Sequence, residues 1–252
     1  MDDGAVLAHA HRFGAMRTLA VISRKGGVGK TTLSVNLATS AWREGLKTLL
    51  ADLDPQRSAT LWGRGRIAPG PAVVSTTAGK LFPVWSAAEN AGCDLVVLDT
   101  PAGGHEEVLQ ALRLADLCLL VCRPNRFDID ALQESIELVR QLGRASLVVL
   151  NQAPSPRLGQ ESEAVANAVR ELRNAGVQLA DTGLRHRAAF PASTGQGLSV
   201  AELDPSSAGA REVAGVWNQV RAMLQNPRVQ PAPGFAPAAC VADREWRAPA
   251  GA

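Results

Sequence analysis

Long apolar runs, paired cysteines and an excess of either charge are all missing from this sequence of 252 residues. No apolar run approaches the roughly 18 residues that a membrane span needs. Only four cysteines are present, Cys93, Cys118, Cys122 and Cys240, with no CxxC pair and no histidine at zinc-ligand spacing. That excludes a zinc module. Cys118 and Cys122 lie inside the apolar run Leu117-Cys118-Leu119-Leu120-Val121-Cys122. They read as buried core thiols in a reducing cytosol, because an iron–sulfur cluster needs thiolates on exposed loops. The opening residues Met1-Asp2-Asp3-Gly4 are acidic and lack the basic start and apolar stretch of a secretion signal. A cytoplasmic protein is expected. The 26 basic and 24 acidic side chains leave a net charge of +2. Any nucleic-acid contact must therefore come from a local positive surface, not from the charge of the whole.

What is present is an ordinary globular composition, 46% hydrophobic and 20% charged. The length suffices for one substantial core. Short β-rich runs alternate with helical patterns. Strands are expected at 18–23, 47–52, 95–99, 117–122 and 147–150. Helical periodicity marks 31–43, 105–115, 128–142, 160–175 and 206–225. Continuous apolar strands separated by amphipathic helices predict a single α/β domain, with a mostly parallel twisted sheet flanked by helices on both faces. Ligands of such folds sit at the carboxyl ends of the strands. Residues 63–92 are less regular, with glycine and proline around 69–71, and predict a loop plus one short helix. The expected division is an N-terminal extension over 1–16, the domain over 17–225, and a tail rich in proline and alanine over 226–252.

The run Ser23-Arg24-Lys25-Gly26-Gly27-Val28-Gly29-Lys30-Thr31-Thr32 follows an apolar strand and opens a helix, the setting of a phosphate-binding loop. Glycines let the backbone turn tightly, so that the N–H groups of Gly26, Gly27, Val28, Gly29, Lys30, Thr31 and Thr32 can point at phosphate oxygens. The helix N-terminus adds partial positive charge. Lys30 is expected on the β- and γ-phosphates of ATP, and the Thr31 hydroxyl on Mg²⁺. Leu95-Val96-Val97-Leu98-Asp99 fits the Walker B pattern, an apolar strand ending in one acid. Asp99 is expected to reach Mg²⁺ through water. The loop Pro101-Ala102-Gly103-Gly104 would sense the γ-phosphate. Asn151 ends the strand at 147–150, and its carboxamide can donate and accept at once, which suits the edge of adenine.

The generic pattern GxxxxGK[ST] is not met, because Arg24 stands where its first glycine belongs. What is met is KGGxGK[ST], with a second lysine at Lys25. With Asp52-Leu53-Asp54-Pro55-Gln56 at the end of the second strand, this resembles the ParA/MinD superfamily of deviant Walker A P-loop ATPases. Ala115-Asp116-Leu117, Arg123-Pro124-Asn125-Arg126-Phe127-Asp128 and Gly195-Gln196-Gly197-Leu198-Ser199-Val200 extend the likeness over about 17–225, closest to short partition-type ParA proteins. The resemblance implies a P-loop NTPase fold, ATP hydrolysis with Mg²⁺, and a homodimer that forms only with ATP. It assigns Lys25, Lys30 and Asp54 to catalysis: Lys25 reaches across the dimer to the other subunit's ATP, and Asp54 positions the attacking water. Asp52 joins Thr31 and Asp99 around the hydrated cation. Related ATPases also carry an asparagine where Asn151 stands.

Short ParA proteins bind DNA without sequence preference as ATP dimers. By that resemblance Arg185, Arg187, Arg211 and Arg221 are candidates for phosphate contacts, Arg187 foremost. Fewer than twenty residues precede the first strand, so no helix-turn-helix module is expected. The tail lacks a basic amphipathic helix, which disfavours a MinD-like membrane anchor. The implied function is a nucleoid-associated ATPase that positions a plasmid, chromosome or protein-cluster cargo, stimulated by a ParB-like or cargo adaptor protein. The alternative is a MinD-like or assembly-type regulator that acts on a protein or membrane without DNA.

Overall fold

The structure, a computed structural model, describes residues 13–103 and 105–225. Six strands form one sheet: β1 (Arg17–Ile22), β2 (Thr48–Asp52), β3 (Ala72–Ser75), β4 (Leu95–Asp99), β5 (Leu117–Cys122) and β6 (Ala145–Leu150). Their order is β3-β2-β4-β1-β5-β6, and every neighbouring pair is parallel. Parallel pairs need crossover connections, and the crossovers supply helices to both faces. These are α1 (Lys30–Arg43), α2 (Ser58–Arg64), α3 (Ala78–Asn90), α4 (His105–Leu114), α5 (Arg126–Gln141), α6 (Glu163–Asn174), α7 (Ala189–Gly195), α8 (Val200–Leu203) and α9 (Ala208–Gln225).

Alternation along β1 divides the core. Leu19 and Val21 pack with Leu33 and Leu37 of α1 and with Val213 and Trp217 of α9. Ala20 and Ile22 face the other way, toward Leu81 of α3, Leu112 of α4, Ile129 of α5 and Leu172 of α6. All of β1, β4 and β5 is buried, which explains why these strands read as unbroken apolar runs. Each such side chain contributes about 1.5–3 kcal/mol of burial. The register sets Asp52 beside Asp99 and Val21 beside Asp99. The loop after β1 and the acids ending β2 and β4 thus emerge together at the carboxyl edge of the sheet.

One expectation needs correction. Residues 63–92 hold more than a loop and one short helix: α2 runs into their start, β3 forms the sheet edge, and α3 runs for 13 residues with Pro83 inside it. Pro83 removes one helical N–H, yet buried Leu81 and Ala88 anchor the helix on both sides of it. Between α6 and α9 the chain forms two further short helices, α7 and α8. Of the expected N-terminal extension, Met16 is buried and Phe13 packs against the core. Residues 1–12, Gly104, Cys240 and the expected tail over 226–252 lie outside the described residues. Among the described residues no helix is long and apolar enough to cross a membrane.

Candidate nucleotide-binding site

β1 delivers the loop Ser23–Gly29 to the N-terminus of α1. Gly27 (φ 70) and Gly29 (φ 90) lie in the left-handed region, where a side chain would strain the turn. Gly29 is also crowded, since a Cβ there would stand 2.3 Å from Nδ2 of Asn151. Lys30 is buried and turns back so that Nζ donates to the carbonyl of Lys25 at 3.2 Å. Burial holds its pKa below the usual lysine range, opposed by the charges of Asp99 and Asp54. Among the described residues no carboxylate pairs with this ammonium. A desolvated cation at the foot of a glycine turn that opens a helix is suited to phosphate.

Asp99 is fully buried at the end of β4. Its Oδ2 accepts from the Thr31 hydroxyl at 2.8 Å and its Oδ1 from the Ser34 hydroxyl at 2.9 Å. Burial pushes its pKa up to about 7, moderated by the Thr31 and Ser34 hydrogen bonds, raised by Asp52 and lowered by Lys30. A buried carboxylate held near neutrality favours a nearby cation. Asp52, also fully buried, accepts from the Asp54 N–H at 3.1 Å on Oδ1. Its Oδ2 accepts from both the N–H and the hydroxyl of Thr60 on α2, each at 2.8 Å. Asp54 is half-buried, and its Oδ1 takes the Gln56 N–H at 2.8 Å. It lines a cavity of about 330 Å³ with Pro55, Gln56, Pro101, Gly103 and Glu107. Among the described residues no three His, Cys, Asp or Glu side chains cluster as a metal cage. Mg²⁺ does not require one, because it keeps several waters and takes few protein groups beside the substrate phosphates. The donor set therefore fits a nucleotide-borne Mg²⁺.

The remaining candidates divide. Lys25 is exposed at the rim, and its ammonium makes no hydrogen bond or ion pair among the described residues. Asn151 is buried beside the loop, with Nδ2 donating to the Val28 carbonyl at 2.7 Å. The arginines proposed for DNA mostly carry acidic partners. Arg185 pairs with Glu161, Arg187 with Glu212 and Arg221 with Glu44. Arg211 donates to the Ser206 carbonyl instead. Ser34, Thr60 and Gln152 were not singled out from the sequence. Of these only Ser34 left a local trace, three residues after Thr31 on one helix face.

An all-parallel sheet with a glycine loop at its carboxyl edge, an inward lysine and two buried acids defines a P-loop nucleoside triphosphatase. Residues 19–200 match the family described as CobQ/CobB/MinD/ParA nucleotide binding domain. The chain is 35% identical over 235 residues to maintenance of carboxysome distribution protein A of Gloeobacter kilaueensis, covering 92% of this chain and 96% of that protein. It is 27% identical to the chromosome-partitioning ATPase Soj of Thermus thermophilus, covering 83% of this chain and 97% of Soj. The solved apo McdA of Cyanothece superposes with a TM-score of 0.66 at 17% identity, covering 83% of this chain and 99% of that one. The chain belongs to the ParA/MinD superfamily and is an ATPase.

Proposed function

We propose that this ATPase positions a protein-assembly cargo over the nucleoid, through an ATP-dependent homodimer that binds DNA without sequence preference. The observation that carries this reading is the contrast between its two loop lysines. Lys30 is turned inward, whereas Lys25 stands exposed and unpartnered at the rim among the described residues. A second cation placed there serves the phosphates of a facing copy, so that the dimer is favoured only while ATP is intact. Thr31 and Asp99 would hold Mg²⁺, with Asp52 reaching its water shell. The cation supplies charge neutralisation at the β- and γ-phosphates when bound. Asp54 faces the loop at Pro101, where it orients the attacking water. Asn151 stands beside the nucleotide site.

The cargo assignment leans on the 35% identical relative, whose name concerns carboxysome distribution. An adaptor protein on the cargo would stimulate hydrolysis. On the DNA side, Arg211 makes no direct ion pair among the described residues, though its charge acts on Asp204, whereas Arg185, Arg187 and Arg221 would exchange a glutamate for a DNA phosphate.

The test is sedimentation and binding of random-sequence duplex DNA with ATP, ADP or no nucleotide, for wild type and Lys25→Ala. Dimerisation and DNA binding with ATP alone, both lost in the variant, are expected. ATP-dependent dimers that ignore DNA would instead favour a protein- or membrane-directed regulator.

A further inference from the structure

The turn that follows β6 reaches the phosphate loop from outside. Two neighbouring carboxamides contact two neighbouring carbonyls: Asn151 Nδ2 donates to Val28 O at 2.7 Å, and Gln152 Nε2 donates to Gly27 O at 2.8 Å. The pair is itself braced. Asn151 Oδ1 accepts the backbone N–H of Gln152 at 2.9 Å, and the Asn151 N–H donates to the Cys122 carbonyl of β5 at 2.8 Å. Gln152 holds φ 52, a left-handed conformation that a non-glycine residue adopts at a cost. Such conformations persist only where the surroundings over-determine them.

Peptide planarity gives these contacts a consequence. A phosphate cradle needs successive N–H groups aimed inward, and this turns the matching carbonyls outward. An outward carbonyl with no firm donor lets its peptide plane rotate, and a rotated plane aims oxygen at the phosphate. Gly27, with its left-handed φ of 70, has no side chain to resist that rotation. We propose that Asn151 and Gln152 form a clamp that fixes the peptide planes at Gly27 and Val28, making them positioning residues for the polyphosphate irrespective of the base. Asn151 gives one amide N–H to the loop and one lone pair of Oδ1 to Gln152, so its carboxamide bridges the two segments as a brace. The inference rests on the ATPase assignment alone and is independent of cargo, DNA and dimer.

Gln152→Gly is the informative variant. Glycine accepts the backbone conformation without strain, so the substitution removes the donor and leaves the turn. Binding of Mg-ATP, Mg-GTP and inorganic tripolyphosphate is measured by calorimetry, with amide exchange of residues 26–29 in the nucleotide-free protein. All three ligands should weaken by one common factor, about threefold to tenfold for one hydrogen bond. The ATP-to-GTP preference should stay constant and the loop amides should exchange faster. Gln152→Glu keeps the length, sets an acceptor against the Gly27 carbonyl, and should weaken all three further. Loss of the ATP preference with tripolyphosphate binding and exchange unchanged would show that these side chains read the base. Unchanged binding and exchange in both variants would equally overturn the clamp.

Discussion

Ser34 shows how much one hydroxyl can carry. Asp99 has two donors, and the hydroxyl of Thr31 is the one expected to turn toward the cation. Ser34 would then be the remaining side-chain donor on a fully buried acid. Ser34→Ala should raise the Mg²⁺ concentration for half-maximal nucleotide binding about tenfold, the low end of the scale for one hydrogen bond to a charged group. Removing a donor to the ionised form raises the acid's pKa, already about 7. The acidic limb of Mg²⁺-dependent binding should therefore move to higher pH. A titration with identical midpoints in the two proteins would rule this role out. The buried thiols behave in the opposite sense to reactive ones. Burial pushes Cys118 and Cys122 up to about 12 from an ordinary 9.0. At pH 8 they should be alkylated no faster than the chain unfolds, as peptide mass mapping would show. The unfolded chain ionises these thiols near pH 9 while the folded chain keeps them neutral. Their contribution to stability thus falls as pH rises from about 9 toward 12.

Helix α2 ties the carboxyl edge of the sheet to the segment that carries Gly197 and α8. Its Thr60 holds Asp52, and just past its end Arg66 lies 4.7 Å over the Trp62 ring. The Arg66 guanidinium donates to both Glu202 oxygens, at 3.0 and 2.7 Å, and to the Gly197 carbonyl at 2.9 Å. Glu202 also completes the cap of α8 by accepting the Ser199 N–H. Arg66→Ala leaves a mostly buried carboxylate unpaired, a loss of about 3 kcal/mol, or roughly 10 °C in Tm for a domain this size. A calorimetric melt that moved by less than about 2 °C would show the clasp to be dispensable. This clasp was not legible in the sequence, because its partners lie 136 positions apart. The phosphate loop was legible, because its whole chemistry is written in ten consecutive residues after an apolar strand. The inner strands were legible too, since both faces are buried. β3 escaped notice as four residues, none of them buried, at an edge behind Pro69 and Pro71, and Pro83 disguised α3.

At the scale of the whole molecule, ligand and fold are coupled by mass action. Mg-ADP at 100 times its Kd should stabilise the protein by about 2.7 kcal/mol, and Lys30→Ala should abolish most of that gain without lowering the basal melt. Thermal scans with and without nucleotide check both. The tie between Arg24 and Glu134 is one contact of the residue that replaces the usual first glycine. The phosphate motifs supply no obvious arginine to complete the site, so the isolated chain should turn over slowly until an adaptor protein is added. Fast turnover without DNA or partner would argue against a switch held in its ATP state.

The parallel sheet also sets an order of events during synthesis. β1 is translated early, yet its two neighbours are residues 95–99 and 117–122. Neither is available until about half the chain has left the ribosome. The glycine loop and Asp99, which must meet, are born some seventy residues apart. Nucleotide therefore cannot help the first half of the chain to fold. It can only recognise a chain whose central strands have already been threaded together, so binding reports completion of the sheet rather than guiding it.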